Sequence, residues 1–222
     1  MICIMNRLVP FVPQEYYHIY NRVTNKMEIF LDKSDYQRFL KLLYTTNSKE
    51  TLKYSDIETS PGRTWTIERG NTLTDIGAYC LMPNHFHLLV KGSEDGNISL
   101  FLQRLLTAYS MYFNKKYNRT GSLFQGKSKS KHINNNEYLK YIFSYIHLNP
   151  VKLIQNDWKE NSIRDTKSAL EYLDTYTQSS YLDFTEEKRK ESLILNTSVF
   201  PEYFPNSATF KKEILEWITY EK

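Results

Sequence analysis

Leu81-Met82-Pro83-Asn84-His85-Phe86-His87-Leu88-Leu89-Val90 combines an apolar strand pattern with two histidines two residues apart. Side chains alternate across a strand, so His85 and His87 share one face and Phe86 points to the other. Two neutral imidazoles about one pleat repeat apart can ligate a single metal ion while Phe86 anchors the strand in a core. Pro83 cannot donate to a central ladder. The stretch therefore reads as two strands, Ile76 to Met82 and His85 to Lys91, meeting at Pro83-Asn84. A bare His-x-His pair fits two hydrogen-bonded core histidines equally well, and the rest of the chain shifts that balance.

Upstream, Tyr16 to Val23 is β-branched and aromatic and predicts a first strand. Ser34 is a candidate cap for a helix with Phe39, Leu42 and Leu43 inward, running to about Thr46. Residues 47 to 74 are polar, carry Pro61-Gly62 and Arg69-Gly70-Asn71, and read as a long connection or peripheral hairpin. Downstream, Asn97 is a candidate cap for a helix to about Tyr117, with Leu100, Phe101, Arg104, Leu105, Ala108 and Phe113 at helical spacing. Gly121 to Ile133 reads as an extended ribbon, with Lys127, Lys129 and Lys131 alternating with serines and so sharing one face. Asn134 and Glu137 suggest a capping box for a third helix that Pro150 ends. The order strand, helix, strand, strand, helix, strand, helix predicts an α+β fold: a ferredoxin-like antiparallel sheet with helices on one face, plus a helical C-terminal extension. In that extension Asp165 to Tyr176, residues 185 to 193 and a stripe of Phe210, Ile214, Trp217 and Ile218 each suggest a helix.

The 222 residues, 41% hydrophobic, suffice for a core. The net charge is only +4, but it is unevenly spread. From Gly96 to Asn136 there is no acid, whereas Arg104, Lys115, Lys116, Arg119, Lys127, Lys129 and Lys131 all fall there. A one-sign stretch of that kind points to a polyanion partner, the bland alternative being a solvated face. Tyr117 and Phe124, among those charges, are candidates for stacking on unpaired bases. The two cysteines, Cys3 and Cys80, lie far apart, with Cys80 in an apolar run, which fits buried thiols and a cytoplasmic location. No apolar run reaches the ~18 residues of a membrane span, and no signal-peptide layout precedes Glu15.

On the third helix Tyr138, Tyr141, Tyr145 and Asn149 lie roughly along one stripe. A tyrosine stripe is more often packing than chemistry. Asn149 raises Tyr145 above its neighbours, because a carboxamide oxygen one turn away would stand beside the phenol if that face met His85 and His87. Two imidazoles and an amide oxygen leave positions open on a metal for a phosphate oxygen. A tyrosine activated there could form an aryl phosphate that keeps the bond energy for a second, reversing step. His18, on the first strand, is placed to neighbour the site but reads first as a hydrogen-bonded core histidine. His147, about 200° round the helix from Tyr145, faces away, and His132 ends the lysine ribbon within reach of phosphate.

Tyr16 to Leu40, the stretch Leu81 to Val90, Gly121-Ser122-Leu123-Phe124-Gln125-Gly126 and Tyr145-Ile146-His147-Leu148-Asn149-Pro150-Val151-Lys152 together resemble the signatures of the HUH-superfamily single-tyrosine transposases, most of all the REP-associated, IS200-like group. The resemblance covers about residues 15 to 155. It implies a ferredoxin-like catalytic domain over residues 1–155 with a polar insertion at about 47–74, and residues 156–222 as the extension. It also implies a divalent metal, Mg²⁺ or Mn²⁺, and a partner in single-stranded DNA next to imperfect hairpins. In such enzymes a tyrosine attacks a phosphodiester to give a 5′-phosphotyrosine and a free 3′-OH. Matched by position, Tyr145 is the nucleophile and His85, His87 and Asn149 the metal ligands. Where the family has an arginine and an aromatic after the glycine, this chain has Lys127-Ser128. The expected activity is thus a single-stranded DNA nicking and joining enzyme. A non-catalytic nucleic-acid-binding module on the same fold is the alternative, and a hydrolase using water is a third. Monomer and homodimer both stay open.

Overall fold

The computed structural model of the chain describes residues 10–23, 27–52, 57, 62–185 and 189–216. Its central sheet has four strands, β1 (Tyr16–Arg22), β2 (Thr74–Met82), β3 (His85–Gly92) and β4 (Lys129–Ile133), in the order β2-β3-β1-β4. Every neighbouring pair is antiparallel. Helices α1 (Lys33–Thr45) and α2 (Asn97–Lys116) follow β1 and β3, giving the interleaved βαβ pattern of a ferredoxin-like fold.

The two faces of the sheet carry separate cores. Tyr17 and Ile19 of β1, with Phe86, Leu88 and Val90 of β3, pack under α1 and α2. On the other face Cys80, Met82 and Leu89 pack beneath α3 (Asn136–Leu148) and the residues that follow it. With both faces covered, β2 and β3 are buried along nearly their whole lengths, which explains the near-continuous apolar run from Leu88 to Val90. Met82 pairs with His85, so Pro83-Asn84 is a two-residue hairpin loop. The carbonyl of Pro83 accepts from the amides of Ile29 and Phe30 (2.8 and 3.2 Å), which ties the hairpin tip to the chain leading into α1.

Several helix starts differ from the sequence reading by one or two residues. Asp32, not Ser34, caps α1, in a capping box with Asp35. Gly96, not Asn97, precedes α2 and adopts a left-handed φ of 77°, which glycine tolerates without strain. Asn135, not Asn134, caps α3 by accepting from the Tyr138 amide. Residues 47 to 74 form a peripheral hairpin in their described parts, with Ser48 bridged to Thr72 and the Asn47 side chain bonded to the backbone of Thr74 on both sides.

The extension continues through a 3₁₀ turn (Asn149–Leu153), α4 (Trp158–Asn161), α5 (Thr166–Leu173) and α6 (Ser207–Glu216). Of the helix expected over 185 to 193, residues 186–188 lie outside the described ones, and Lys190–Ile194 is a 3₁₀ turn. Trp158, Leu173, Tyr181, Phe210 and Ile214 join the core beneath α3, while Trp217 and Ile218 of the expected last stripe lie outside the described residues. The segment around Ser179 also closes the outer edge of β2: the Leu81 amide donates to Gln178 O (3.0 Å) and Cys80 bridges Ser179. Covering an edge this way removes a row of unpaired backbone groups. Arg189, itself buried, clasps the same region through Asp183, Tyr79 Oη and the carbonyls of Thr177 and Ser179. Among the described residues, no helix is long and apolar enough to cross a membrane.

Candidate active site

The register of the sheet assembles a histidine cluster on the α3 face. His85 and His87 stand on β3, and Tyr20 of β1 pairs with His87. The rings of His85 and His87 lie 5.0 Å apart and nearly perpendicular. His18, two residues before Tyr20 on the same face, reaches across to His87 with Nε2 to Nδ1 at 2.8 Å, and both rings are buried. His85 donates from Nδ1 to Asn84 Oδ1 (2.5 Å). In both β3 histidines Nδ1 is therefore engaged by the protein, so that Nε2 is the nitrogen presented for other chemistry. Burial first, and then the positive charges of Lys159 and Lys131, push the His18 pKa down to about 4, so this ring is neutral at pH 7.

α3 lays the tyrosine stripe over this cluster. Tyr138 and Tyr141 stack at 6.0 Å and Tyr141 and Tyr145 at 6.1 Å. Tyr145 meets His87 edge-on at 5.5 Å and His18 at 6.0 Å. Asn149 opens the 3₁₀ turn at the end of α3, only 3% exposed, and its buried side-chain amide has no hydrogen bond at the Nδ2 position. The two amide orientations are isosteric, so this position can present an oxygen as readily as an NH₂. Imidazole nitrogens and an amide oxygen are donor types that suit a divalent ion. Among the described residues no three or more His, Cys, Asp or Glu side chains are arranged to hold a metal ion by themselves.

The seven basic residues divide between the two sides of the sheet. Lys129 pairs with Tyr20 and Lys131 with His18, so both project on the histidine face. The Lys131 ammonium sits 4.3 Å over the Tyr138 ring. α2 lies on the opposite side. There Arg104 donates to the carbonyl of Ser48 (2.8 Å), holding the peripheral hairpin. Lys116 pairs with Asp32 and Asp35 (2.8 and 2.7 Å), tying the end of α2 to the start of α1. Arg119 is half-buried over Phe113, whereas Lys115 and Lys127 are exposed. Of the two aromatic candidates for base stacking, Phe124 belongs to the core and Tyr117 donates its hydroxyl to Asp35.

Two residues at the site were not singled out as functional in the sequence. His18, on a strand able to neighbour the site, read first as a core histidine. Lys159, in α4, stands 4.2 Å above the Tyr145 ring. The strand pairing that would have signalled His18 is long-range, and Lys159 follows a break in the helix. His147 points away as expected: Nδ1 donates to Phe143 O (2.9 Å) and Nε2 accepts from Ser180 Oγ (2.8 Å).

Residues 68–149 match the family model described as "Transposase IS200 like". This span contains both β3 histidines, Tyr145 and Asn149. No curated protein matches the sequence. Among solved structures, one of a REP-associated tyrosine transposase bound to a REP hairpin aligns over 81% of this chain and 85% of its own, with TM-score 0.52 and 12% identity. That agreement is one of fold. tRNA(His) guanylyltransferase from Saccharomyces cerevisiae aligns over 94% and 87% at 15% identity, but its TM-score of 0.33 is too low to support an argument. The sheet order, the histidine strand and the tyrosine helix thus lie in a chain whose residues 68–149 match the IS200-like transposase model and whose fold is similar to that of a REP-associated tyrosine transposase.

Proposed function

We propose that the protein is a metal-dependent single-stranded DNA endonuclease and strand transferase that works in the cytoplasm on sites flanked by hairpins. The observation that carries this reading is the edge-on contact of Tyr145 with His87, a histidine already held by His18. His85, His87 and Asn149 would hold a divalent ion such as Mg²⁺ or Mn²⁺, which when bound polarises a phosphoryl oxygen and assists the phenol. The neutral His18 ring accepts from His87 Nδ1–H and thereby fixes the tautomer that directs the His87 Nε2 lone pair outward. Asn84 does the same for His85.

Tyr145 Oη loses its proton and attacks the phosphorus of the scissile phosphodiester. A P–Oη bond forms as the P–O3′ bond breaks, and O3′ takes up a proton. The product is a 5′-phosphotyrosine and a free 3′-OH, and attack by a 3′-OH on the phosphotyrosine reverses the step to join strands. Lys129 and Lys131, on the same face, hold the backbone of the strand. In this reading residues 1–155 form the catalytic domain and residues 156–222 the extension, and the DNA partner is a hairpin with a single-stranded flank; the structural relative is bound to a REP hairpin.

The test is incubation of the full chain and Mn²⁺ with labelled hairpin DNAs taken from the flanks of its own gene, followed by a denaturing gel beside Tyr145→Phe. The expected result is a protein-linked DNA band with wild type that is absent in the variant. Cleavage without a protein-linked band in both would instead mean water attack. Binding without cleavage would reduce the protein to a nucleic-acid-binding module.

A further inference from the structure

The lysine over Tyr145 lies beyond the residues that match the transposase family. Lys159 belongs to α4, a single turn anchored by buried Trp158, whose own ring faces Tyr145 at 6.4 Å. Asp157, at the start of that turn, is bonded to Arg164 and Asn161, which fixes the loop on its outer side. The Lys159 ammonium is 4.2 Å from the centre of the Tyr145 ring. At that distance a cation is attracted to the ring face and stays within reach of whatever the phenol oxygen attacks. A second lysine stands over the same tyrosine stripe. The Lys131 ammonium sits 4.3 Å over the Tyr138 ring, so one lysine approaches the stripe from β4 and the other from beyond α3. A phosphodiester seated for attack by Tyr145 would bring its nonbridging oxygens between them.

We propose that Lys159 is a catalytic residue that contacts the nonbridging oxygens of the scissile phosphate during attack by Tyr145, so that the segment after residue 149 completes the active site. The inference rests on Tyr145 being the nucleophile. Lys159 keeps its proton throughout. As the P–Oη bond forms and the P–O3′ bond breaks, the ammonium stabilises the charge that builds on the equatorial oxygens. Because the same transition state is crossed in both directions, joining depends on Lys159 as cleavage does.

The experiment compares wild type, Lys159→Met and Lys159→Arg as full chains with Mn²⁺ and a labelled hairpin DNA. Adduct formation is followed in single turnover at saturating DNA, and affinity is measured separately by fluorescence anisotropy. Lys159 is exposed, so the variants should fold, and circular dichroism checks this. The expected result for Lys159→Met is a saturating rate about 10- to 100-fold below wild type with affinity changed by less than about threefold, and substantial recovery in Lys159→Arg. A saturating rate equal to wild type, whether or not affinity falls, would overturn the proposal and leave Lys159 an ordinary backbone contact. If wild type binds the hairpin but forms no adduct, it is the reading of Tyr145 that fails, and the role of Lys159 fails with it.

Discussion

His18 and His87 are bonded ring to ring in a buried site, and each constrains what the other can do. A neutral His18 can accept the Nδ1 proton of His87 but cannot ligate a metal through the same Nε2 atom. His18→Ala should therefore weaken metal binding without removing a ligand. The expected loss of Mn²⁺ affinity is about 10- to 100-fold, measured by titration calorimetry, with adduct formation restored at raised Mn²⁺. An unchanged Mn²⁺ affinity would show that His18 only fills space. The pair also shows what was legible residue by residue. His85, His87, Tyr145 and Asn149 stand out as candidates in the sequence because strand alternation and helical periodicity are local rules. His18 lies on the first strand, which the sequence also predicts, but its partner depends on a register between strands separated by more than sixty residues. No local rule gives that register.

At the scale of elements, β4 and α2 carry the basic stretch to different places. Charge composition alone cannot see that α2 packs on one face of the sheet while the lysines of β4 project from the other, so seven cations read as one surface. Lys129 and Lys131 face the tyrosine stripe, whereas Lys116 is an internal clasp between α1 and α2. Replacing Lys129 or Lys131 by Ala should reduce the slope of log affinity against log salt by about 0.7 each, as for one phosphate contact on a single strand. Lys116→Ala should leave that slope unchanged and lower stability instead, and equal salt slopes for all three variants would contradict the division. α3 also has two working faces. Away from the tyrosines, burial pushes the His147 pKa down from 6.5 to about 3. Its folded-state pKa lies below its unfolded one, so its contribution to stability is intact above pH 6.5 and is lost as pH falls toward 3. The loss amounts to about 1.4 kcal/mol per pH unit in that window. Urea unfolding of His147→Gln between pH 6 and 4.5 should show a pH slope smaller than wild type by about one proton. Identical slopes would show that His147 is not the buried neutral group described.

Over the whole molecule, the sheet is sealed on both faces and along the β2 edge, and the C-terminal extension does the second half of that work. The ferredoxin-like core was readable because the order of its elements is a sequence property. The extension was not, since its short 3₁₀ turns lack periodicity and its contacts are with a distant strand. Arg189 is the clearest case: a charged residue beside a run of charged neighbours proves to be buried against Asp183 and Tyr79. Arg189→Met leaves the Asp183 carboxylate buried without its partner and should destabilise the protein by about 3 to 5 kcal/mol in urea unfolding; a loss below about 1 kcal/mol would show that the extension is held by apolar packing alone. The molecule as a whole gathers three stacked tyrosines and three lysines, Lys129, Lys131 and Lys159, on the face of the sheet that carries the histidines, and the proposed chemistry depends on which tyrosine reacts. Burial first, and then Tyr138, hold the Tyr141 pKa above its usual value, which favours its protonated form. The most direct measurement is to trap the protein–DNA adduct, digest it, and locate the modified residue by tandem mass spectrometry. The prediction is a nucleotide 5′-phosphate on Tyr145 and none on Tyr138 or Tyr141. Modification of either neighbour in its place, or cut DNA with no tyrosine modified, would contradict the central claim.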